Sequence, residues 1–366
     1  MLPTKNRLLS ATASLFMVSA NAALADVVRR PPDAIADAVY GQSDFNTGAP
    51  NNGGINSNSL RVPVGVATDG QGNLYVADFA NHRVLFYPAG STTATRVYGQ
   101  GGSFTTGGCN KGGISRDSLC GPQGVAIDYD GYLYVADFGN QRVLRYPPPS
   151  PADPLRNPPA DLVYGQGGKF DTNGCPWISR NSTCAPYGVA TDTGGNLYVV
   201  DLNYSRVLFY PKGLTTATRV YGQLGNFEAT HTCNLLWKFP GVGLVSEDSL
   251  CAPTGVVTDS GGNLYITDTG NHRILFYPAD KFYPAASTTA TRVYGQFGNF
   301  NTNHVNNGGI SANSLDRPRY VALDSDGNLY AGDEKNCGRC FTQYPTRRLR
   351  RCMAKAAIST PAVRLV

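Results

Sequence analysis

Short apolar runs bounded by Gly, Pro, Asn and Asp recur along this chain of 366 residues. One stretch contains GVATD at 65–69, NLYVADF at 73–79, RVLFYP at 83–88 and TRVYGQ at 95–100. Runs this short between turn residues predict β-strands, and the few polar interruptions in LYVAD predict a strand buried on both faces. A Gly-Asn pair before the second run is typical of a hairpin turn, because both residues tolerate positive φ. The pattern therefore predicts a four-stranded antiparallel sheet.

The same pattern is repeated along the chain. Its first three runs recur as heads at 63–88, 122–147, 186–211 and 253–278, with a fifth head that starts at 318 and then degrades. The fourth run lies within TTATRVYGQ, which is identical at 92–100, 215–223 and 288–296, and looser copies end at Gln42 and Gln166. Radial repetition of such sheets predicts an all-β fold, a β-propeller of four-stranded blades. The 42 Gly, 24 Pro and only 16% charged residues fit many short strands joined by tight turns.

The heads resemble NHL repeats, a family named for an Asn-His-Leu signature. GVATDGQGNLYVADFANHRVLFYP carries the resemblance, and the corresponding triplets are NHR at 81–83 and 271–273, NQR at 140–142 and YSR at 204–206. The resemblance covers the five heads between 63 and 345 and implies a propeller, usually with six blades. It implies little about chemistry, because NHL-like propellers include binding modules, sensor ectodomains and a few lyases or lactonases. Five units are visible here, so the array is either five-bladed or a truncated or frameshifted six-bladed one.

Long connections separate each YGQ from the next head. The repeat period is 59 to 67 residues, whereas WD40-type repeats need about 40–45. The surplus forms five loops, at 43–62, 101–121, 167–185, 224–252 and 297–317. In a propeller these fourth-to-first-strand loops share a face with the turns between the second and third strands. We call it the loop-rich face and expect any ligand to bind there.

Six of the nine cysteines fall in pairs within three of these loops. The pairs are Cys109 and Cys120, Cys175 and Cys184, and Cys233 and Cys251. The other two loops have none, so cysteines come and go in pairs, as bonded partners would. The sequence predicts three local disulfides rather than metal sites, because no consistent set of further ligands accompanies the pairs.

The two ends of the chain are distinct from the repeats. Residues 1–25, with a basic start, a short apolar run and ALA before Asp26, predict a secretory signal peptide cleaved near Ala25. The prediction is a secreted, periplasmic or extracellular protein with no transmembrane anchor in the mature chain. Residues 26–336 form the propeller and 337–366 a degenerate basic tail. A two-base shift of the codons for CMAKAA can read YGQGG, so we interpret the tail as a frameshifted continuation of the array, and ADAVYGQ at 36–42 as a candidate strand for the last unit.

The charge distribution argues against nucleic acid as a partner. Of the net charge of +5, residues 1–25 carry two positive charges and 337–366 carry seven, with no acid in either, which leaves −4 for 26–336. The body of the protein therefore lacks the basic surface that phosphate binding requires.

A polar cluster recurs in the heads and is interpreted as structural. An aspartate of the second strand, an asparagine and an arginine are expected to form a turn network in which the carboxylate caps the turn and pairs with the guanidinium. Its members are Asp78, Asn81, Arg83, Asp137, Asn140, Arg142, Asp268, Asn271 and Arg273. His82 and His272 occupy one repeat position and are expected to be exposed turn residues.

Residues that are not repeated are the better binding candidates. Trp177 and Trp237 lie in cysteine-bearing loops, and exposed aromatics on such loops suit sugar or protein recognition, although packing beneath the loop is an equal alternative. His231 and Lys238 flank Trp237 and complete the candidate binding set. No catalytic residue, metal ligand or cofactor site is predicted, because four unmatched histidines do not make a zinc site and no nucleophile–base arrangement stands out.

The sequence thus predicts a secreted, non-enzymatic propeller that binds a protein or carbohydrate through its loop-rich face. Two alternatives stay open, a metal-dependent propeller lyase or lactonase and a purely structural protein of the cell envelope. A bound metal would favour the enzyme.

Overall fold

A computed structural model describes residues 36–148, 159–175, 177–229, 233, 245–279 and 288–336. The described residues form antiparallel sheets whose strands pair in chain order, together with short 3₁₀ turns. The predicted signal peptide at 1–25 and the basic tail at 337–366 lie outside these residues. No helix in the described ranges is long and apolar enough to cross a membrane.

Four sheets have four strands each and are the blades of a propeller. Blade 1 contains β1 (Pro63–Thr68), β2 (Leu74–Asp78), β3 (Arg83–Tyr87) and β4 (Arg96–Tyr98). Blade 2 contains β5 (Pro122–Ile127), β6 (Leu133–Asp137), β7 (Arg142–Tyr146) and β8 (Leu162–Tyr164). Blade 3 contains β9 (Pro186–Thr191), β10 (Leu197–Asp201), β11 (Arg206–Tyr210) and β12 (Arg219–Tyr221). Blade 4 contains β13 (Val256–Thr258), β14 (Leu264–Asp268), β15 (Arg273–Tyr277) and β16 (Arg292–Tyr294).

A fifth unit has two strands within the described residues, β17 (Pro318–Leu323) and β18 (Leu329–Asp333). Short 3₁₀ turns follow the second or fourth strands of the blades, at Phe79–Asn81, Gln100–Gly102, Phe138–Asn140, Gln166–Gly168, Gln223–Gly225 and Thr269–Asn271. The all-β propeller class predicted from the repeat is confirmed, and TRVYGQ supplies the outermost strand of its blade.

The turn between the first two strands depends on Asp69 and glycine. The Asp69 carboxylate accepts hydrogen bonds from the backbone N–H groups of Gln71 and Asn73, at 2.9 and 3.0 Å. Gly72 sits at φ +83°, where a side chain would be strained. The predicted Gly-Asn hairpin is therefore present on the face opposite the long loops.

The innermost strands lie side by side around the axis. The glycine after Pro-x in the first four heads allows this close approach, because a Cβ on Gly65 would lie 2.2 Å from the carbonyl oxygen of Gln123 and one on Gly124 would lie 2.5 Å from that of Tyr187. Residues of β1, β5, β9, β13 and β17 line one narrow central cavity of about 40 Å³. The blades are thus arranged radially about this cavity.

Tyrosines join each blade to the next. The outer-strand Tyr98 packs edge-on against Tyr146 of the following blade, with ring centroids 5.0 Å apart. Tyr40 packs in the same way against Tyr87 of blade 1, at 5.1 Å. Residues 36–42 are therefore placed like the end of an outer strand. No strand is assigned at 36–42, and the residues after 336 that would supply its partner strand lie outside the described residues, so closure of the last unit by ADAVYGQ stays a prediction.

Candidate binding face

One buried arginine in each of the four complete blades fixes the loops to the sheet. In blade 2 the Arg142 Nε donates to Asp137 Oδ2 at 2.8 Å, and its two Nη atoms donate to the carbonyl oxygens of Ser115, Ser118 and Phe170. Both charged side chains are fully buried. Burial raises the pKa of Asp137, while the guanidinium opposes that change. Arg83, Arg206 and Arg273 make the same set of contacts.

The aspartate and asparagine of the cluster complete this network. Asp137 Oδ1 accepts a hydrogen bond from the backbone N–H of Cys120, and Asn140 Nδ2 donates to Asp137 Oδ2 at 2.8 Å. Asn140 also exchanges two amide hydrogen bonds with Asn110 of the neighbouring loop, at 2.7 and 2.8 Å. The loop is therefore held to the turn by polar contacts as well as by its disulfide. These contacts place the long loops and the second-to-third-strand turns on one face.

Three disulfides lie where the sequence predicted them. The bonds are Cys109–Cys120, Cys175–Cys184 and Cys233–Cys251. The loop without cysteines at 43–62 closes with the same backbone hydrogen bond, Asn51 N to Leu60 O at 3.1 Å, that Asn110 and Leu119 make in a bonded loop. The disulfides therefore reinforce a shape that the backbone already adopts.

The turn position occupied by His82 varies between blades, but its side chain always accepts a hydrogen bond from the following loop. His82 Nδ1 accepts a hydrogen bond from the backbone N–H of Gly121 at 2.9 Å, and His272 Nδ1 accepts one from Arg317 at 3.1 Å. Gln141 and Ser205 accept the equivalent bonds with side-chain oxygens, from Ala185 and Ala252. The expectation of exposed turn histidines is therefore wrong. Both are half-buried, because each bonds the following loop.

Exposed apolar side chains are concentrated on the loop-rich face. Nine large hydrophobic residues are exposed within the described residues, and seven of them lie in the long loops. The seven are Phe45, Val62, Trp177, Leu224, Phe297, Val305 and Ile310. The other two, Tyr129 and Leu214, lie in turns of the opposite face. Single exposed apolar residues are common on soluble proteins, whereas their accumulation on one face is typical of a binding surface.

The sequence-predicted binding residues divide into two groups. Trp177 is 94% exposed between Cys175 and Cys184, so it does not pack beneath its loop. Trp237, His231 and Lys238 lie outside the described residues. No group of three or more His, Cys, Asp or Glu side chains is placed to hold a metal ion in the part of the chain that the structure describes.

The mouth of the central cavity on this face carries a set of residues that sequence reasoning missed. The residue after the proline of each head differs in every unit. These residues are Val64, Gln123, Tyr187 and Thr254, which line the central cavity, and Arg319 at the same position of the fifth head. The Tyr187 hydroxyl accepts a hydrogen bond from Arg319 Nε at 3.0 Å, which joins blade 3 to the fifth unit past β13. Aligning the five heads on their prolines shows this variation.

Comparison with known protein families concerns the repeated heads. The NHL repeat family model matches residues 60–86, 119–146 and 250–276. No curated protein matches the chain.

Among solved structures, a Bacteroides uniformis protein provisionally described as a 6-phosphogluconolactonase is 14% identical, with 73% of this chain and 62% of that chain covered and a TM-score of 0.42. A streptogramin B lyase is 12% identical, with 73% and 74% covered and a TM-score of 0.38. The nidogen/laminin complex matches at 20% identity, with 76% and 74% covered and a TM-score of 0.41. The chain thus spans less than two thirds of the first of these proteins, and likenesses this distant carry no argument about activity or partner. The three matches, each of which begins a four-stranded blade, show that the chain contains NHL repeats within a β-propeller fold.

Proposed function

We propose that this protein is a secreted binding module that holds a protein or glycan ligand on its loop-rich face. The observation that carries the proposal is the placement of seven of nine exposed large hydrophobic side chains in the long loops. Trp177 is the leading contact residue, because tryptophan combines a large apolar area with a polar N–H and is enriched in binding hot spots.

The described parts of the long loops are held to the blades by the protein's own contacts. Disulfides, the buried arginines and the paired asparagines fix them to the blades. A surface that is already ordered loses less conformational entropy on association, and this raises affinity. The predicted signal peptide at 1–25 and the three disulfides are compatible with export, because such bonds persist in oxidising compartments.

Two matched variants test the proposal. The full chain is immobilised and screened against a glycan array and against exported proteins of the source cells. Trp177→Ala is then compared with Tyr129→Ala, since the two side chains are 94% and 93% exposed but lie on opposite faces. We expect Trp177→Ala to weaken the recovered interaction by about 30-fold, the factor that corresponds to a hot-spot loss of about 2 kcal/mol. Tyr129→Ala should leave it unchanged, and the reverse order would overturn the proposal.

A further inference from the structure

One loop position changes from arginine to glutamate between blades. The loops contain the related segments ISRDSL at 114–119, ISRNST at 178–183 and VSEDSL at 245–250. Their third residues, Arg116, Arg180 and Glu247, have equivalent backbones, because each carbonyl oxygen accepts a hydrogen bond at 3.2, 3.1 and 3.2 Å from an alanine before the outer strand. These alanines are Ala160, Ala217 and Ala290. The exchange therefore reverses the charge at a fixed place in the fold.

In blades 2 and 3 this arginine covers a phenylalanine ring. The Arg116 guanidinium lies 4.7 Å from the ring centroid of Phe170, and that of Arg180 lies 4.6 Å from the ring centroid of Phe227. The buried arginine of the blade holds the phenylalanine in place, as when Arg206 Nη1 donates to the Phe227 carbonyl at 2.6 Å. A guanidinium over an aromatic face is a favourable cation–π pair.

In blade 4 the equivalent phenylalanine, Phe300, has no arginine at the corresponding loop position. Phe300 is held like its equivalents, because Arg273 Nη1 donates to its carbonyl at 2.5 Å. Glu247 stands where the stacking arginine would be, and a cavity of about 430 Å³ opens beside Phe300. Phe297, Asn299 and Asn301 are among the other residues that line it.

The cavity combines an aromatic face, a carboxylate and amide groups. Within the described residues Glu247 has no cationic side chain at ion-pair distance. At the corresponding position blade 1 has Ser57 and the fifth unit has Ala312, so the carboxylate is particular to this blade. Phe297 is 55% exposed and has a positive φ of +53°, an unusual conformation for a bulky residue, and it widens the apolar wall of the cavity.

We propose that the cavity between Glu247 and Phe300 is a receptor site for a guanidinium, supplied by an arginine side chain of a bound protein. The protein itself shows the fit, because Arg116 and Arg180 place that group over the equivalent rings. Glu247 adds a charge-assisted hydrogen bond, since a carboxylate matches the fork of N–H donors that guanidinium presents. The inference rests on the proposed binding function, for which it names one contact of the partner.

The test uses a small probe that needs no identified partner. N-acetyl-arginine amide is titrated into the full chain by NMR or calorimetry, with the citrulline analogue as a neutral probe of the same shape. We expect saturable binding of the arginine compound, weakened about tenfold by Glu247→Gln and lost in Glu247→Arg, whose own side chain would cover Phe300. The citrulline compound should not bind. Glu247→Arg is expected to fold, because arginine is accommodated at this position in two other blades.

A control and a gain-of-site variant complete the design. Ser57→Arg adds the same charge to blade 1 and should leave binding of the arginine compound unchanged. Arg180→Glu copies blade 4 into blade 3 and should add a second site for the probe. Binding that persists in a folded Glu247→Arg variant, or binding that Ser57→Arg abolishes equally, would overturn the proposal.

The outcomes separate this inference from the proposed function. Glu247-dependent probe binding supports the cavity even where the partner screen recovers nothing. Loss of partner binding in Trp177→Ala, together with no probe binding in the unaltered chain, would leave the binding function in place and overturn the guanidinium site. If the natural ligand were a free cation, arginine itself and an arginine peptide would bind equally, and Glu247→Arg would not affect partner capture. This result too would overturn the proposal.

Discussion

Arg142 shows how a single residue serves the scaffold. Its guanidinium is fully buried and donates to one carboxylate and three carbonyl oxygens, so the loss of hydration is matched by hydrogen bonds. Removing the cation would leave Asp137 buried without its counter-charge. The repeated polar residues therefore act on stability and loop placement, which is distinct from the contact role that we propose for Trp177.

Arg142→Met should cost about 3–5 kcal/mol of unfolding free energy, because an unpaired buried carboxylate remains. Arg145→Met is the matched control on the same strand. Arg145 pairs with Asp161 at 2.7 Å, but both side chains are partly exposed, and such pairs contribute about 0–1 kcal/mol. Urea unfolding followed by circular dichroism measures both variants. Equal losses would contradict the buried-pair account.

His82 could not be assigned correctly from the sequence alone. Its repeat position holds His, Gln and Ser, a variation that is typical of an exposed residue. What these side chains share is a hydrogen-bond acceptor, and the donor, the N–H of Gly121, belongs to the next loop 39 residues along the chain. The Asp-Arg pairing, by contrast, is local and could be predicted from spacing.

At the scale of elements, each turn between the second and third strands bonds the loop that follows. The His82 bond requires a neutral imidazole, and burial lowers the pKa of His82 below the usual 6.5, while the carboxylates of Asp137 and Asp78 oppose that change and Arg61 adds to it. Because the folded-state pKa lies below the unfolded one, this contribution is fully present above about pH 6.5 and is lost as the pH falls through the folded-state pKa.

His82→Gln should remove this part of the pH dependence, because Gln141 makes the same contact in blade 2. We expect the two proteins to be equally stable at about pH 7.5 and the variant to be the more stable at about pH 5. Unfolding free energies measured at each pH for both proteins cancel the contribution of the buried aspartates. A constant difference across the range would contradict the role of His82.

The strands and hairpins could be predicted because their signals are local. The apolar runs and the Gly-Asn turns between them predict the positions of β1 to β4 and of the equivalent strands in the other blades. The positions of the long loops could be predicted, but their conformations could not. The loops are held by hydrogen bonds to backbone carbonyl groups, such as those of Ser115 and Ser118, and the sequence does not show which carbonyl groups are bonded. The pairing of Arg116 with Phe170, 54 residues apart, is likewise visible only in the structure.

At the scale of the whole molecule, the two faces of the propeller differ in kind. One face has tight hairpins such as Asp69–Asn73, repeated with little change. The other has long loops, three of them cross-linked by disulfides. Repetition thus builds the support, and most of the exposed large apolar side chains of the described residues lie on the face of the long loops.

Hydrogen–deuterium exchange on the complex with a ligand recovered in the screen is the most direct measurement of this division. The account predicts slowed exchange in the loops at 43–62, 101–121, 167–185 and 297–317. It predicts unchanged exchange in the hairpins at 69–73, 128–132, 192–196 and 259–263. Protection confined to those hairpins, with the long loops unaffected, would contradict the claim that the loop-rich face is the binding surface.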